Sequence, residues 1–436
     1  MMLKPAFEMK DSGIEWVGKV PAEWNIVPLY SALNEINHKN SPISTTNILS
    51  LTNTEGVIPY SERGNQGNKA KESFEEYKVV YPNTIVANSM NILIGSVGLS
   101  NYEGCVSPVY YVYSAKPKHD IHYLNYLFQV ELFQKRLRQF ANGIMEIRLR
   151  VSSHDILHQK VMMPSYREQQ AIAEYLDDRC NKIDAIIAEA TASIEEYKEL
   201  KQAVISEAVT KGLYNNPTIY SGDPNIGDVS EGWNVCKTLY GLAMPITDGP
   251  HTTPELYDDG VPFISAEAVS CGQGSIDFDH MRGYISEEFY QECCKKYIPA
   301  IDDIYMIKSG ATTGRVSMVD TDRKFTIWSP LAVFRVNKDR LIPRYLFYFL
   351  QSKPYQQQVQ LGWTFGTQQN IGMRTLEKLK ICLPPLDEQS QIVEYLDTRV
   401  GDMNNLISEK QDLIDDLQAY KKSLIYEVVT GKRRVV

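Results

Sequence analysis

The sequence predicts an α+β protein of two tandem globular domains, each followed by a long helix, and three observations carry that reading. Residues 164 to 210 return 220 positions later as residues 384 to 430, without a gap and with identity at 17 of 47 positions. A leader, SGIEWVGKVPAEWN at 12 to 25, returns 209 positions later as SGDPNIGDVSEGWN at 221 to 234. Between leader and helix, both halves carry short strand-like runs, glycine turns and an aromatic helical stretch, the texture of an α+β domain. A repeat of this length sets the order of the chain before any single motif does: leader, domain, helix, leader, domain, helix.

Taken in order, residues 1 to 25 form the first leader and 26 to 163 the first domain, where YKVVY, NTIVAN, NILIGSVG and SPVYYVYSA read as strands between turns. YLNYLFQVELFQKRLRQF then has the spacing of one helix. Residues 164 to 212 form the central helix: Leu176, Cys180, Ile183, Ile187, Ala190, Ile194, Tyr197, Val204 and Ala208 recur at steps of three and four. This sustained period of 3.5 is the coiled-coil pattern. A second leader occupies 213 to 234 and a second domain 235 to 383, with VPFISAEAV, DIYMIKSG, GRVSMVD and LAVFRVN followed by helical YLFYFLQSKPYQQQVQ. The C-terminal helix, 384 to 436, keeps the seam at Leu396, Val400, Met403, Ile407, Ile414, Leu417, Leu424 and Val428. Ser165 with Glu168 has capping-box spacing, and Asp387 can accept the first free amides of the second helix. From Leu176 to Ala208 the seam runs roughly 50 Å at 1.5 Å per residue. Neither helix can bury so narrow a stripe alone, so the two are expected to pair antiparallel as a rod with pseudo-twofold repeat. The order of segments also predicts that residues 1 to 19 lie against the end of the C-terminal helix, as 211 to 228 follow the end of the first.

At 436 residues, 43% hydrophobic and 10% aromatic, the chain has room for two or three ordinary globular domains. Seven cysteines without a CxxC pair suggest neither a disulfide framework nor a zinc ribbon, and fit a reducing cytoplasm. No signal-like or membrane-length apolar run is present, so no membrane association is expected. The net charge of −9 argues against a nucleic-acid partner until its location is considered. Residues 164 to 210 carry 5 basic and 10 acidic side chains and residues 384 to 430 carry 4 and 10, which leaves 36 basic against 34 acidic elsewhere. The acid sits on the helices, so the domains are free to meet phosphate backbones.

A catalytic reading fails on inspection. Gly310 to Arg315 is too short for a phosphate-binding P-loop and lacks its lysine. Glu76-Tyr77-Lys78 matches half of a nuclease site, but no aspartate lies between residues 12 and 119 to complete it; Glu196-Tyr197-Lys198 and Glu199-Leu200-Lys201 lie on the rod. The [DN]-P-P-[FYW] element of amino methylation is absent. His154 and His158 could present two imidazoles on one helix face, but no third ligand is near in sequence, which favours a structural or phosphate-contacting task over a metal site.

What remains is binding chemistry in polar loops that recur in both halves. In the first domain the candidate DNA contacts are Arg63, Asn65, Gln66, Asn68 and Lys69, then Asn88, Ser89 and Asn91, then Arg148 and Arg150. In the second they are His251, Thr252 and Thr253, then Lys308, Thr312, Thr313 and Arg315, then Thr367, Gln368, Gln369 and Asn370. Arg and Lys suit guanine or phosphate, and Asn and Gln pair bidentately with adenine.

SGIEWVGKVPAEW, DGPHTTP with VPFI, GTQQNI, and the doubled helix start LPPLDEQ-x2-I-x2-YLD with MPSYREQ-x2-I-x2-YLD resemble the specificity (S) subunit of type I restriction-modification systems. The resemblance spans essentially the whole chain. It implies two target-recognition domains, each reading one half of a bipartite asymmetric site in double-stranded DNA. It also implies helices that set the spacer and dock two modification subunits, in a bacterial or archaeal cytoplasm. S-adenosylmethionine, ATP and Mg, with methylation and ATP-driven cleavage, would reside in modification and restriction subunits, and this chain would be non-catalytic with no cofactor of its own. The first domain lacks the DGPHTTP element of the second. The rival reading is a coiled-coil protein scaffold without DNA binding.

Overall fold

The computed structural model describes residues 8–52, 56–63, 73–141, 149–214, 216–365 and 369–435. The chain divides into two compact units, Met1–Ala190 with Asp412–Val436, and Thr191–Gln411. Two long helices, Tyr166–Lys211 and Leu386–Val429, each contribute one half to either unit.

In the first unit, Met9–Asp11 pairs with Lys19–Pro21, and Asn25–Pro28 with Lys160–Met163, both antiparallel. Leu33–Ile36, Tyr110–Ala115, Thr84–Asn88 and Val97–Ser100 form an antiparallel sheet in that order. In the second unit, Thr218–Tyr220 pairs with Asp228–Ser230, and Asn234–Lys237 with Lys380–Leu383. Thr247–Asp248, Leu331–Phe334, Ile304–Ile307 and Val316–Met318 repeat the four-stranded order. Every strand of both leaders recurs at the offset of 209 seen in the sequence, and the strand before each long helix at 220. The second unit adds a three-stranded sheet, Gly283–Ile285, Val261–Ile264 and Thr326–Ile327, in which the last pairing is parallel.

The expected single aromatic helix is two in each unit: Ile121–Gln129 then Glu131–Arg138, and Pro343–Gln351 then Lys353–Leu361. Val130 and Ser352 are extended and interrupt them, and at the second break Pro354 restarts the helix where a missing N–H costs nothing. A carbonyl freed at each break is recovered by a side chain. Gln134 Nε2 donates to Phe128 O at 2.9 Å, and Gln356 Nε2 donates to Leu350 O at 2.6 Å. Beside these glutamines stand Gly95 and Gly314, both at positive φ; a Cβ at Gly314 would also press on Gln356.

The heptad seam is the buried face of both helices. Leu176, Cys180 and Ile183 share the first core with Leu424, Ile425 and Val428. Ile205, Ala208 and Val209 share the second with Ile392, Leu396 and Val400. Two tyrosines tie the start of one helix to the end of the other. Tyr123 Oη donates toward Met162 O at 3.0 Å and Val429 O at 3.4 Å, and Tyr345 Oη toward Cys382 O and Val209 O, each at 3.1 Å. In each unit the helices therefore run antiparallel. Polar rungs accompany the seam, Lys421 with Asp184 at 2.6 Å in the first unit and Lys201 with Asn404 at 2.9 Å in the second.

The repeated helix start is a clamp. Gln169 Oε1 accepts from Asp120 N and its Nε2 donates to Pro164 O, both at 2.9 Å. Gln389 Oε1 accepts from Ile342 N at 2.8 Å, while its Nε2 donates to Pro384 O at 2.8 Å and Arg340 O at 3.0 Å. Ile172, Leu176, Ile392 and Leu396 are buried behind them. The motif aspartates close the clamp: Asp177 accepts from Tyr126 Oη at 2.7 Å, and Asp397 from Tyr348 Oη at 2.6 Å and Arg344 Nε at 2.8 Å. Only half of the expected capping box forms. Ser165 Oγ accepts from Glu168 N at 3.3 Å, but the Glu168 carboxylate meets Arg434 at 3.1 Å. Asp387 lies inside the first turn of a helix that begins at Leu386, so it faces the helix dipole as an acidic residue and is not the cap.

The leader does lie against the C-terminal helix end. Lys432 Nζ donates to Val17 O at 2.6 Å and Tyr426 Oη to Trp16 O at 3.4 Å, and Arg434 pairs with Glu23 at 2.7 Å.

Candidate nucleic-acid interface

In the second unit the three predicted loops meet. Asp248 ends the edge strand Thr247–Asp248 and is 1% exposed. Lys308 Nζ approaches its Oδ2 at 3.1 Å, His251 Nε2 the same oxygen at 3.2 Å, and Lys296 Nζ its Oδ1 at 2.5 Å. Burial alone would raise the Asp248 carboxyl, but hydrogen bonds and charge from Lys296 and Lys308 outweigh it and hold the group below the usual carboxylate range. The DGPHTTP turn is thus fixed to the KSGATTGR loop through one buried anion. That loop is fixed in turn to the GTQQN segment: Gly310 N donates to Gln369 O at 3.0 Å, Ile371 N to Lys308 O at 2.9 Å, and Ser309 bridges Asn370.

The side chains divide by exposure. His251, Thr252, Thr253, Arg315 and Asn370 face solvent, and Gln369 is half-buried. Arg315 lies across the Ser270 carbonyl at 3.3 Å. Lys308 is only 12% exposed, and Thr312 and Thr313 are half-buried, with Thr313 Oγ1 donating to Gly310 O at 2.7 Å. Lys296 was missed by the sequence reading. It sits 48 positions from Asp248, outside any glycine loop, and no local signal marks it.

In the first unit, Asn88 and Ser89 are buried at the end of a sheet strand, and Asn88 Oδ1 accepts from Met90 N at 3.0 Å. They shape the loop from inside, whereas Asn91 is exposed. Val151 N donates to Ser89 O at 3.0 Å, so exposed Arg150 lies beside that loop. Arg63 rests on the Tyr60 ring at 4.4 Å. Its charge also reaches Tyr110, the cross-strand partner of Asn88; burial raises that phenol and Arg63 pulls it back. In the first unit Ser89 stands where Lys308 does, since Ser89 O accepts from Val151 N as Lys308 O accepts from Ile371 N, so the lysine of the hub is replaced there by a buried serine. Asn65, Gln66, Asn68, Lys69, Arg148, Thr367 and Gln368 lie outside the described residues.

His154 and His158 share the short helix Ser153–Leu157 and its cap, with ring centroids 3.8 Å apart. Among the described residues, no group of three or more His, Cys, Asp or Glu side chains gathers to hold a metal, and no helix is long and apolar enough to cross a membrane.

Residues 21–196 and 246–415 match the type I restriction modification DNA specificity domain, once in each half. The chain belongs to that family. A specificity-domain relative, the type I restriction enzyme MjaVIII specificity subunit of Methanocaldococcus jannaschii, is 22% identical over 438 residues, covering 96% of this chain and 94% of its own. Among solved structures, a chain from work on complex assembly and conformational transition of the type I R-M system is similar at a TM-score of 0.70, with 16% identity over 95% of this chain and 99% of that one. The HsdS subunit from Thermoanaerobacter tengcongensis is similar at a TM-score of 0.51, with 17% identity over 95% and 98%. These two likenesses are of fold.

Proposed function

We propose that this specificity-family chain reads a bipartite, asymmetric sequence in double-stranded DNA, one half through each domain. Its helices would set the spacer and, with the leaders, dock two modification subunits. The observation that carries the reading is the convergence, in the second unit, of three polar loops on one buried anion within a fold built twice. Exposed His251, Thr252, Thr253, Arg315 and Asn370 supply donors and acceptors suited to phosphate and base edges. Asn91, Arg63 and Arg150 are the corresponding candidates in the first unit, joined by Asn65, Gln66, Asn68, Lys69 and Arg148; Thr367, Gln368 and Gln369 complete the second. Two linked readers bind as one ligand, so the separation of half-sites becomes part of the specificity. The chain itself is proposed to be non-catalytic. Methyl transfer from S-adenosylmethionine and ATP- and Mg-dependent cleavage would belong to modification and restriction subunits.

Replacing residues 26 to 163 with those of another family member tests this reading. One half of the methylated motif should change and the other persist; a change in both halves sinks the two-reader reading. The scaffold alternative is separated by salt: phosphate contacts give affinity that falls steeply with salt, whereas a scaffold binds no duplex at all.

A further inference from the structure

The Asp248 hub does more than join loops. Beside it lies a pocket of about 190 Å³ lined by Asp248, Gly249, Thr252, Lys296 and Tyr297, with Glu292 as the other carboxylate in its wall. Lys296 is 48% exposed and His251 72% exposed, so both side chains reach the surface while remaining anchored to a carboxylate that is not itself accessible. An ammonium has three N–H donors. Lys296 directs one to Asp248 Oδ1 and one toward Gly249 O at 3.4 Å, which leaves a third for a ligand at the pocket mouth. Free lysines lose rotamer freedom on being held; here much of that ordering is already done by the protein. The Arg282 guanidinium, next to the strand Gly283–Ile285, stacks on the Trp328 ring at 3.9 Å and is a further exposed cation of this unit.

We propose that Lys296 contacts a DNA phosphate, together with the His251–Thr252 turn, and that Asp248 is the positioning residue that holds this cluster in place without touching DNA. The proposal rests on the DNA-reading function above and adds to it a contact outside the predicted loops. Point-charge lysines and a threonine hydroxyl suit a phosphate oxygen, which fixes register on the duplex and carries no base information. Glu292 provides the discriminating control. Facing a phosphate it is unfavourable, so its removal should tighten binding; as an acceptor for a cytosine amino group, its removal should weaken binding at one base pair.

The test uses the full chain with a duplex carrying its methylation motif and with an unrelated duplex, titrated across salt. Lys296→Gln should weaken binding to both duplexes by the same factor and lower the slope of log K against log salt by about 1. Asp248→Asn should lower the slope at least as much, and Asp248→Glu should restore part of it, which a purely structural defect would not do. Glu292→Gln should tighten binding to both. An unchanged slope in Lys296→Gln, with wild-type chain binding normally, overturns the phosphate contact and leaves the DNA-reading function standing. Loss confined to one base pair, or weaker binding by Glu292→Gln, overturns it in favour of base readout. No binding by the wild-type chain overturns both.

Discussion

Replacing Gln389 by methionine keeps the length and volume of the side chain and removes its hydrogen bonding. Three bonds of a buried side chain disappear, from Ile342 N and to Pro384 O and Arg340 O. At about 1 kcal/mol net for each bond, the loss is about 3 kcal/mol, and more if the stranded groups find no water. Gln169→Met removes two bonds in the first unit, so it should cost about 2 kcal/mol. Urea unfolding of the full chain, with amide hydrogen exchange followed at Ile342 and Asp120, measures both. The Ile342 amide should lose protection selectively in Gln389→Met and the Asp120 amide in Gln169→Met. A cost below 1 kcal/mol, or equal loss of protection at both amides in either variant, would refute the view that each glutamine clamps its own helix start.

Three further outcomes follow from the same structure. Tyr345→Phe removes a hydroxyl that ties Val209 O and Cys382 O across two elements, and should lower stability by about 1–2 kcal/mol in a thermal melt, with Tyr123→Phe comparable through Met162 O and Val429 O. Asp248 has a carboxyl held below its ordinary value, so its contribution to stability is complete above the unfolded carboxylate pKa near 4 and is lost as pH falls through the depressed folded value; acid titration of unfolding should show this slope in wild type and a flatter one in Asp248→Asn. Inserting four residues after Ala190 lengthens that helix by about 6 Å, and should change the gap between half-sites or abolish modification; an unchanged gap would refute the spacer role.

Much of this fold was legible because the chain states it twice. The leader strands recur at the same offset as Gly13/Gly222, Gly18/Gly227 and Trp24/Trp233, and the 3.5-residue period named the buried faces of both long helices. The break in each aromatic helix was not legible. Val130 has no sequence mark of an extended residue, and the carbonyl it frees is recovered by Gln134, a polar side chain that periodicity reads as neutral. The roles of Gln169 and Gln389 were hidden for a related reason, since their partners lie 49 and 47 positions away. At the candidate interface, glycine-rich polar runs located the loops and could not grade their members. Asn88 and Asn91 look alike in sequence, yet one is inside a sheet end and the other is exposed. Of the hub, His251 and Lys308 stood out as loop residues but Asp248 and Lys296 did not, because a buried aspartate holding a distant lysine is a tertiary arrangement that no spacing records.

Under the proposed function, this chain chooses the DNA sequence on which its partners act. Co-expressing it with a cognate modification subunit and mapping methylated adenines across the genome, against a control lacking this chain, is the test. Adenine methylation confined to a two-part motif with a fixed gap, and lost in the control, is the predicted result. Methylation that ignores this chain despite an assembled complex would contradict it.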